Sequence, residues 1–455
     1  MSSISRQSSS LPERPENGWM EHIEDVYLGR WVNPETGAAG PRAPVDKILI
    51  SESIDGEEAD LARSVGIGDS TAMVADANTW DAAGARIARN LTQNGFKISE
   101  IILSGRPHAT VEEADALEQR LQNFSSVIAV GSGTVNDLTK YVTAHTKRPY
   151  CVFGTAASMD GYASTTASMG LPSGLKISLP AHAPKGVFLD LDVIARAPSR
   201  MAAAGFGDCL CNSVARIDWW MSHKLLGSQF RLEPYLISEP DEGMLEAHAS
   251  GLQAGDITAV GYLVRALVLS GLGVAFTKVS NHGSMGEHQI SHYIDCFAHD
   301  QHKGTLHGEQ VGVATLSMGR IQQWYLDQEK PPEVCPTKVD GEDMVRRMGP
   351  EIAAQCEAEY RKKALDEDGA ARLNEHLQDI WQELRADCRK LVDPVEAMLA
   401  KLTQVGGSTS GKDLGLSSDF YREAVRHAHE MRNRFSFADL ACDAGLLDDF
   451  AAREV

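Results

Sequence analysis

Positive charge is the scarcest commodity in this chain: 43 Lys and Arg stand against 63 Asp and Glu, a formal net charge of −20 over 455 residues. Such a surface repels phosphate backbones and anionic lipid, which argues against nucleic acid or membrane as a partner. An anionic small substrate would need a local basic pocket set against that field. No C-x-x-C pair occurs among the 8 cysteines, so zinc fingers and disulfide scaffolds are disfavoured alike. Reduced thiols in a cytoplasmic protein are the expectation. No segment approaches the roughly 20 apolar residues of a membrane span, and the N-terminus lacks a hydrophobic signal region. Residues 1–18 are polar and Ser-rich with Pro12 and Pro15, and read as a disordered leader. No internal repeat is present.

What the chain does contain is ordinary for a globular protein, with 43% apolar and 23% charged residues. Its length exceeds one average domain. From residue 45 to about 197, short apolar runs alternate with amphipathic segments. Strands are expected at 48–50, 70–76, 98–104, 126–130, 150–153 and around 187–194. Helices are expected at 79–93, capped by Asn78 or Thr79, and at 111–123. That alternation predicts a parallel, Rossmann-like sheet with helices on both faces. Beyond 197–199 helices dominate. One is expected over 200–221 with an interruption at 204–208, another over 309–326, and a final one over 419–434. The segment 257–271 is apolar nearly all round, which on a long helix means burial. The fold class is therefore an α/β domain (19–197) followed by an all-α domain (198–455).

Candidate chemistry clusters in short stretches. His288 and His292 are four apart, so a helix projects both from one face, and His307 follows a loop later before a glycine. Imidazoles in this spacing suit a divalent metal, although His-rich surface loops also occur, as at His299 and His302. His427 and His429, two apart, read as structural or exposed. The strand at 126–130 runs into Gly131-Ser132-Gly133-Thr134-Val135, and a strand–glycine–helix junction can dock a pyrophosphate or simply make a tight turn. Thr155-Ala156-Ala157-Ser158 follows the next strand, its small residues allowing a flat ring to approach.

Taken in order, 131–140, Thr155 to Gly161, Gly205-Phe206-Gly207-Asp208 and the 287–309 stretch resemble the sn-glycerol-1-phosphate dehydrogenases. These belong to the metal-dependent polyol dehydrogenases related to 3-dehydroquinate synthase. The segments 78–84 and Arg432-Asn433-Arg434-Phe435 are similar to the bacterial branch, and the resemblance spans about 45–447. It implies NAD or NADP held by Gly131, Ser132, Gly133, Thr134, Val135, Thr155, Ala156, Ala157, Ser158 and Ser164. It implies a divalent ion (zinc, nickel or iron) on Asp208, His288 and His307, with Asp160 and His292 touching substrate. Met159 departs from the histidine frequent in archaeal members.

The implied reaction is reversible reduction of dihydroxyacetone phosphate to sn-glycerol 1-phosphate. The alternatives are a polyol dehydrogenase indifferent to phosphate and a dehydroquinate-synthase-like cyclase. His292 would orient substrate or relay a proton, or else support the site from behind. Asp76 ends a strand and would face a ribose hydroxyl, favouring NAD, or merely start a helix. Lys176, Lys185 and Lys303 are phosphate candidates by position. A homodimer is expected from the resemblance.

Overall fold

Apolar runs decide the first half of the fold. A computed structural model describes residues 14–455, so the expected leader lies outside the described residues as far as residue 13. Among the described residues eight strands form, all before residue 191: β1 Lys47–Ser51, β2 Ser70–Asp76, β3 Lys97–Leu103, β4 Val127–Gly131, β5 Tyr150–Gly154, β6 Thr166–Gly170, β7 Lys176–Pro180 and β8 Gly186–Asp190. Six pair in the order β1-β8-β5-β4-β2-β3, every pairing parallel, while β6 and β7 make a separate antiparallel hairpin. Strands β4, β5 and β8 are buried at every residue, as parallel strands covered on both faces must be.

The sheet's two faces take their helices from successive connections. Met73, Ala75, Ile128 and Val130 pack with Ile87, Ala88 and Leu91 on one face. Ala72, Val74, Val127 and Ala129 pack with Val135, Leu138 and Val142 on the other. The helices leaving β2 and β4 therefore go to opposite faces. A crevice opens at such a reversal, beyond the C-terminal ends of the strands.

After Asp190 the described chain is helical. Ser199–Leu226, Ile257–Thr277, Gly286–Phe297 and His307–Asp327 build the inner layer around the site. Ile257–Thr277 corrects the expectation that nothing approaches a membrane span: at 21 residues and a mean hydropathy of 1.8 it is long and apolar enough. Its apolar window is 83% buried within the protein, as the all-round apolar pattern requires of a core helix.

Other expectations need correcting. Residues 204–208 do not interrupt a helix; Ser199–Leu226 runs through them unbroken. Gly205 and Gly207 serve close packing there, since a Cβ at Gly205 would strike the Ala157 carbonyl and one at Gly207 the Gly308 carbonyl. The 79–93 helix starts at Ala77, not after a cap at 78 or 79. Asp76 caps it, accepting from Thr79 N at 2.8 Å, and Trp80–Gly84 winds as a π-turn before Ala85–Gln93. The last helix stops at His427; a short turn, Ala428–Met431, is followed by extended Arg432 and two further helices, Phe437–Asp443 and Leu447–Ala452. Asp218 captures Phe437 N at 3.0 Å and Ser436 caps the restart, which explains the break. His429 is buried with a ring nitrogen 3.1 Å from Tyr360 Oη, and His427 lies 3.0 Å from Glu430.

Candidate active site

Three helices deliver the three residues of the metal reading to one place. Asp208 lies within Ser199–Leu226, His288 in the first turn of Gly286–Phe297, and His307 opens His307–Asp327. Asp208 Oδ1 is 3.9 Å from His288 Nε2 and 3.8 Å from His307 Nε2. One donor atom from each lies within 4.8 Å of the others. A divalent ion bonding each donor at about 2.0–2.2 Å fits inside such a triangle.

Hydrogen bonds behind the imidazoles fix which nitrogen faces inward. His288 Nδ1 is 2.9 Å from Glu287 Oε1, so Nδ1 carries the proton and Nε2 offers its lone pair. Ser291 Oγ donates to Gln310 Oε1 at 2.8 Å and lies 3.3 Å from His307 Nδ1, which sets the second ring likewise. Burial pushes His288 and His307 down to about 3, leaving both neutral. Burial, reinforced by the Asp160 charge, holds the Asp208 carboxyl well above its usual range. Two neutral imidazoles and a carboxylate kept from water are a donor set that a divalent cation satisfies. A second triangle, Cys211, Glu287 and His288, is already engaged: the thiol donates to the Asp208 and Gly283 carbonyls, and Glu287 is bonded to Met285 N.

Asp160 N donates to Asp208 Oδ2 at 3.1 Å, and Asp160 Oδ2 accepts from Ser270 Oγ at 2.9 Å. His292 stands beside the triad, its ring centroid 6.4 Å from that of His288 and 6.2 Å from that of His307. Its Nε2 is 2.9 Å from Arg432 Nη2. Arginine only donates, so Nε2 accepts and Nδ1 holds the hydrogen. That Nδ1 is buried and has no partner among the described residues.

The nucleotide-binding candidates meet because β4 and β5 are neighbours in register, Gly131 opposite Gly154. Thr155 N donates to the Gly131 carbonyl at 3.2 Å, tying the two loops together. Ser132 precedes the Gly133–His145 helix without capping it by its side chain, so its first N–H groups are free to meet an anion. A Cβ at Gly133 would meet only Met159 Cγ, at 3.4 Å, so no protein neighbour demands a glycine there. Space kept open before a helix start fits a dinucleotide phosphate. Val135 folds over Gly131, whose added Cβ would come within 2.6 Å of the Val135 Cβ. Thr134 continues the first turn of that helix, and Thr155, Ala156, Ala157 and Ser158 are buried.

The Ser164 hydroxyl lies 2.9 Å from Lys140 Nζ and bonds the Gly161 and Thr166 carbonyls. Asp76 caps its helix as described. Lys176 pairs with Asp295 at 2.7 Å, Lys185 with Asp46 at 3.1 Å, and Lys303 Nζ donates to the Asp300 carbonyl. Sequence reasoning missed Glu287 and Ser291 as imidazole supports and Arg432 as the neighbour of His292. Glu287 could have been suspected from its place before His288; nothing in the sequence links Arg432 to a residue 140 positions away.

Residues 49–198 match the family model for iron-containing alcohol dehydrogenase. The chain is 33% identical over 273 residues to glycerol-1-phosphate dehydrogenase (NAD(P)+) of Methanosarcina mazei, covering 60% of this chain and 75% of that protein. It is 29% identical over 371 residues to the protein of that name from Halalkalibacterium halodurans, covering 80% and 84%. In fold it resembles glycerol dehydrogenase from Schizosaccharomyces pombe, at TM-score 0.60 and 19% identity over 90% of this chain and 91% of that one. Maleylacetate reductase from Agrobacterium tumefaciens is similar at TM-score 0.60 and 14% identity, over 91% and 97%.

Proposed function

The chain belongs to the glycerol-1-phosphate dehydrogenase family, and from that premise we propose that it reversibly reduces dihydroxyacetone phosphate to sn-glycerol 1-phosphate. In this reading residues 19–197 carry NAD or NADP, and 198–455 carry the metal and the substrate. The observation that supports it is the convergence of Asp208 with the Nε2 atoms of His288 and His307.

When bound, a divalent cation supplies Lewis-acid pull on a carbonyl oxygen, and the nicotinamide supplies a hydride. The chain's own contribution is to hold and orient. Asp208, His288 and His307 grip the cation, and a single carboxylate among the ligands leaves it electrophilic. Zinc, nickel and ferrous iron all suit this nitrogen–oxygen set. Glu287 and Ser291 keep both imidazoles in the tautomer that presents Nε2. The unpartnered Nδ1–H of His292 is a hydrogen-bond donor for a substrate oxygen, which favours the orienting role over support from behind. Asp160 braces Asp208 through its backbone N–H and offers its carboxylate beside the same site. Gly133 leaves room for the pyrophosphate. We extend the reading to a homodimer, on family resemblance alone; a monomeric mass by light scattering would overturn that extension.

The test is oxidation of NADH and NADPH by the metal-loaded protein with dihydroxyacetone phosphate and with free dihydroxyacetone. A kcat/KM higher for the phosphorylated ketone by a factor of about 100 or more is expected. Equal or reversed preference would transfer the protein to the polyol dehydrogenases.

A further inference from the structure

Lys140, Lys176 and Arg200 beside the site face carboxylates, while Arg432 and Arg434 face none within 4.0 Å among the described residues. Lys176 is paired with Asp295 and Lys140 is 3.4 Å from Asp137. Arg200 is bonded to Glu309, and Arg434 donates to the Ser284 carbonyl and to Ser280 Oγ. Arg432 is half-buried, yet no carboxylate lies within 4.0 Å of it among the described residues. Its one side-chain hydrogen bond among the described residues goes to His292 Nε2, a neutral acceptor. Burial works against its charge, and the thiols of Cys296 and Cys356 offset that only in part. A guanidinium stays protonated even so, and without an anion it is a costly group to bury.

We propose that Arg432 is the phosphate-binding residue of this site, its remaining N–H groups forming the fork that receives the substrate's phosphate while His292, held by the same guanidinium, donates from Nδ1 to a substrate oxygen. The inference rests on the substrate reading above and names the residue that gives it its selectivity. His292 supplies the geometry. Its ring centroid stands 6.4 Å from that of His288 and 6.2 Å from that of His307, and its Nε2 accepts from Arg432. A carbonyl at the Asp208, His288 and His307 triangle and a phosphate at Arg432 would lie on either side of His292, as the two ends of one small phosphorylated ketone. Arginine suits the task because its planar fork matches two phosphate oxygens at once. With a net charge of −20, an anionic substrate needs a local cation of this kind to offset the overall field.

The test compares the wild-type holoenzyme with Arg432→Gln and Arg432→Lys, using both ketones and inorganic phosphate as a competitor. Arg432→Gln is expected to lower kcat/KM for dihydroxyacetone phosphate roughly 100-fold, mainly through KM, with a loss on free dihydroxyacetone at least tenfold smaller. Arg432→Lys should recover part of the loss, and metal content and nucleotide affinity should stay at wild-type values. Inorganic phosphate should inhibit turnover of free dihydroxyacetone by the wild type and not by Arg432→Gln. Equal losses on the two ketones would overturn the proposal, leaving Arg432 a positioning residue for His292. If the wild type prefers the free ketone, the substrate reading fails by itself. The phosphate competition then decides the Arg432 claim: inhibition abolished by the substitution supports it, while inhibition unaltered or absent from the wild type overturns it.

Discussion

Single residues in this site matter chiefly through the atoms they leave for others. Glu287 is fully buried; its Oε1 takes both Met285 N at 2.7 Å and His288 Nδ1 at 2.9 Å, and Oε2 has no partner among the described residues. Burial pushes its carboxyl up to about 7. Its task is to hold one imidazole in one tautomer, so Glu287→Gln should fold and yet bind metal about tenfold more weakly. Competition with a metal-binding dye reads this directly, and an unchanged affinity would remove Glu287 from the role. At this scale the sequence was partly legible. The spacing of His288 and His292 announced a shared face, and His307 was visible before its glycine. Which nitrogen each ring presents was not visible, because it depends on Glu287, Ser291 and Gln310 meeting in space.

Elements decide where those atoms stand. Ser199–Leu226 is wedged between the loop after β5, which presses the Ala157 carbonyl on Gly205, and the start of His307–Asp327, which presses the Gly308 carbonyl on Gly207. One helix thus sets the distance from the proposed nucleotide loop to the proposed metal triangle. The sequence showed both glycines, but a glycine in a helical pattern reads as an interruption unless the approaching carbonyls are known. That the strands run parallel was legible from their alternation with helices; their order, and the register that sets Gly131 opposite Gly154, were not. Gly133 is the informative position on this element pair. Its open surroundings mean that Gly133→Val should leave folding and metal content intact while raising the KM for the nucleotide roughly tenfold or more, by filling the phosphate's space. A nucleotide KM within twofold of wild type, measured at saturating ketone, would separate that loop from cofactor binding.

Across the whole molecule, a few buried charges pin the hairpin β6–β7 to the helical layer. Asp295 takes Lys176 at 2.7 Å, His302 at 3.1 Å and Gln310 at 2.9 Å. Burial would raise its carboxyl, but Lys176 and the hydrogen bonds from His302 and Lys176 outweigh that and hold it well below the usual carboxylate range. A depressed folded value contributes stability that is present above the unfolded value near pH 4 and is lost as pH falls through the folded one. Asp295→Asn should therefore cost about 2 kcal/mol at neutral pH, and the wild-type and variant urea midpoints should converge as pH falls below about 4. A gap that stays constant into acid would mean that the carboxylate's charge plays no part in the pin. In the proposed reading this architecture serves one grip, Asp208 with His288 and His307, and elemental analysis after dialysis tests it most directly. Wild type should keep about one divalent ion per chain, and His307→Ala almost none while still quenching on nucleotide addition; a His307→Ala protein that retained its ion would contradict the account.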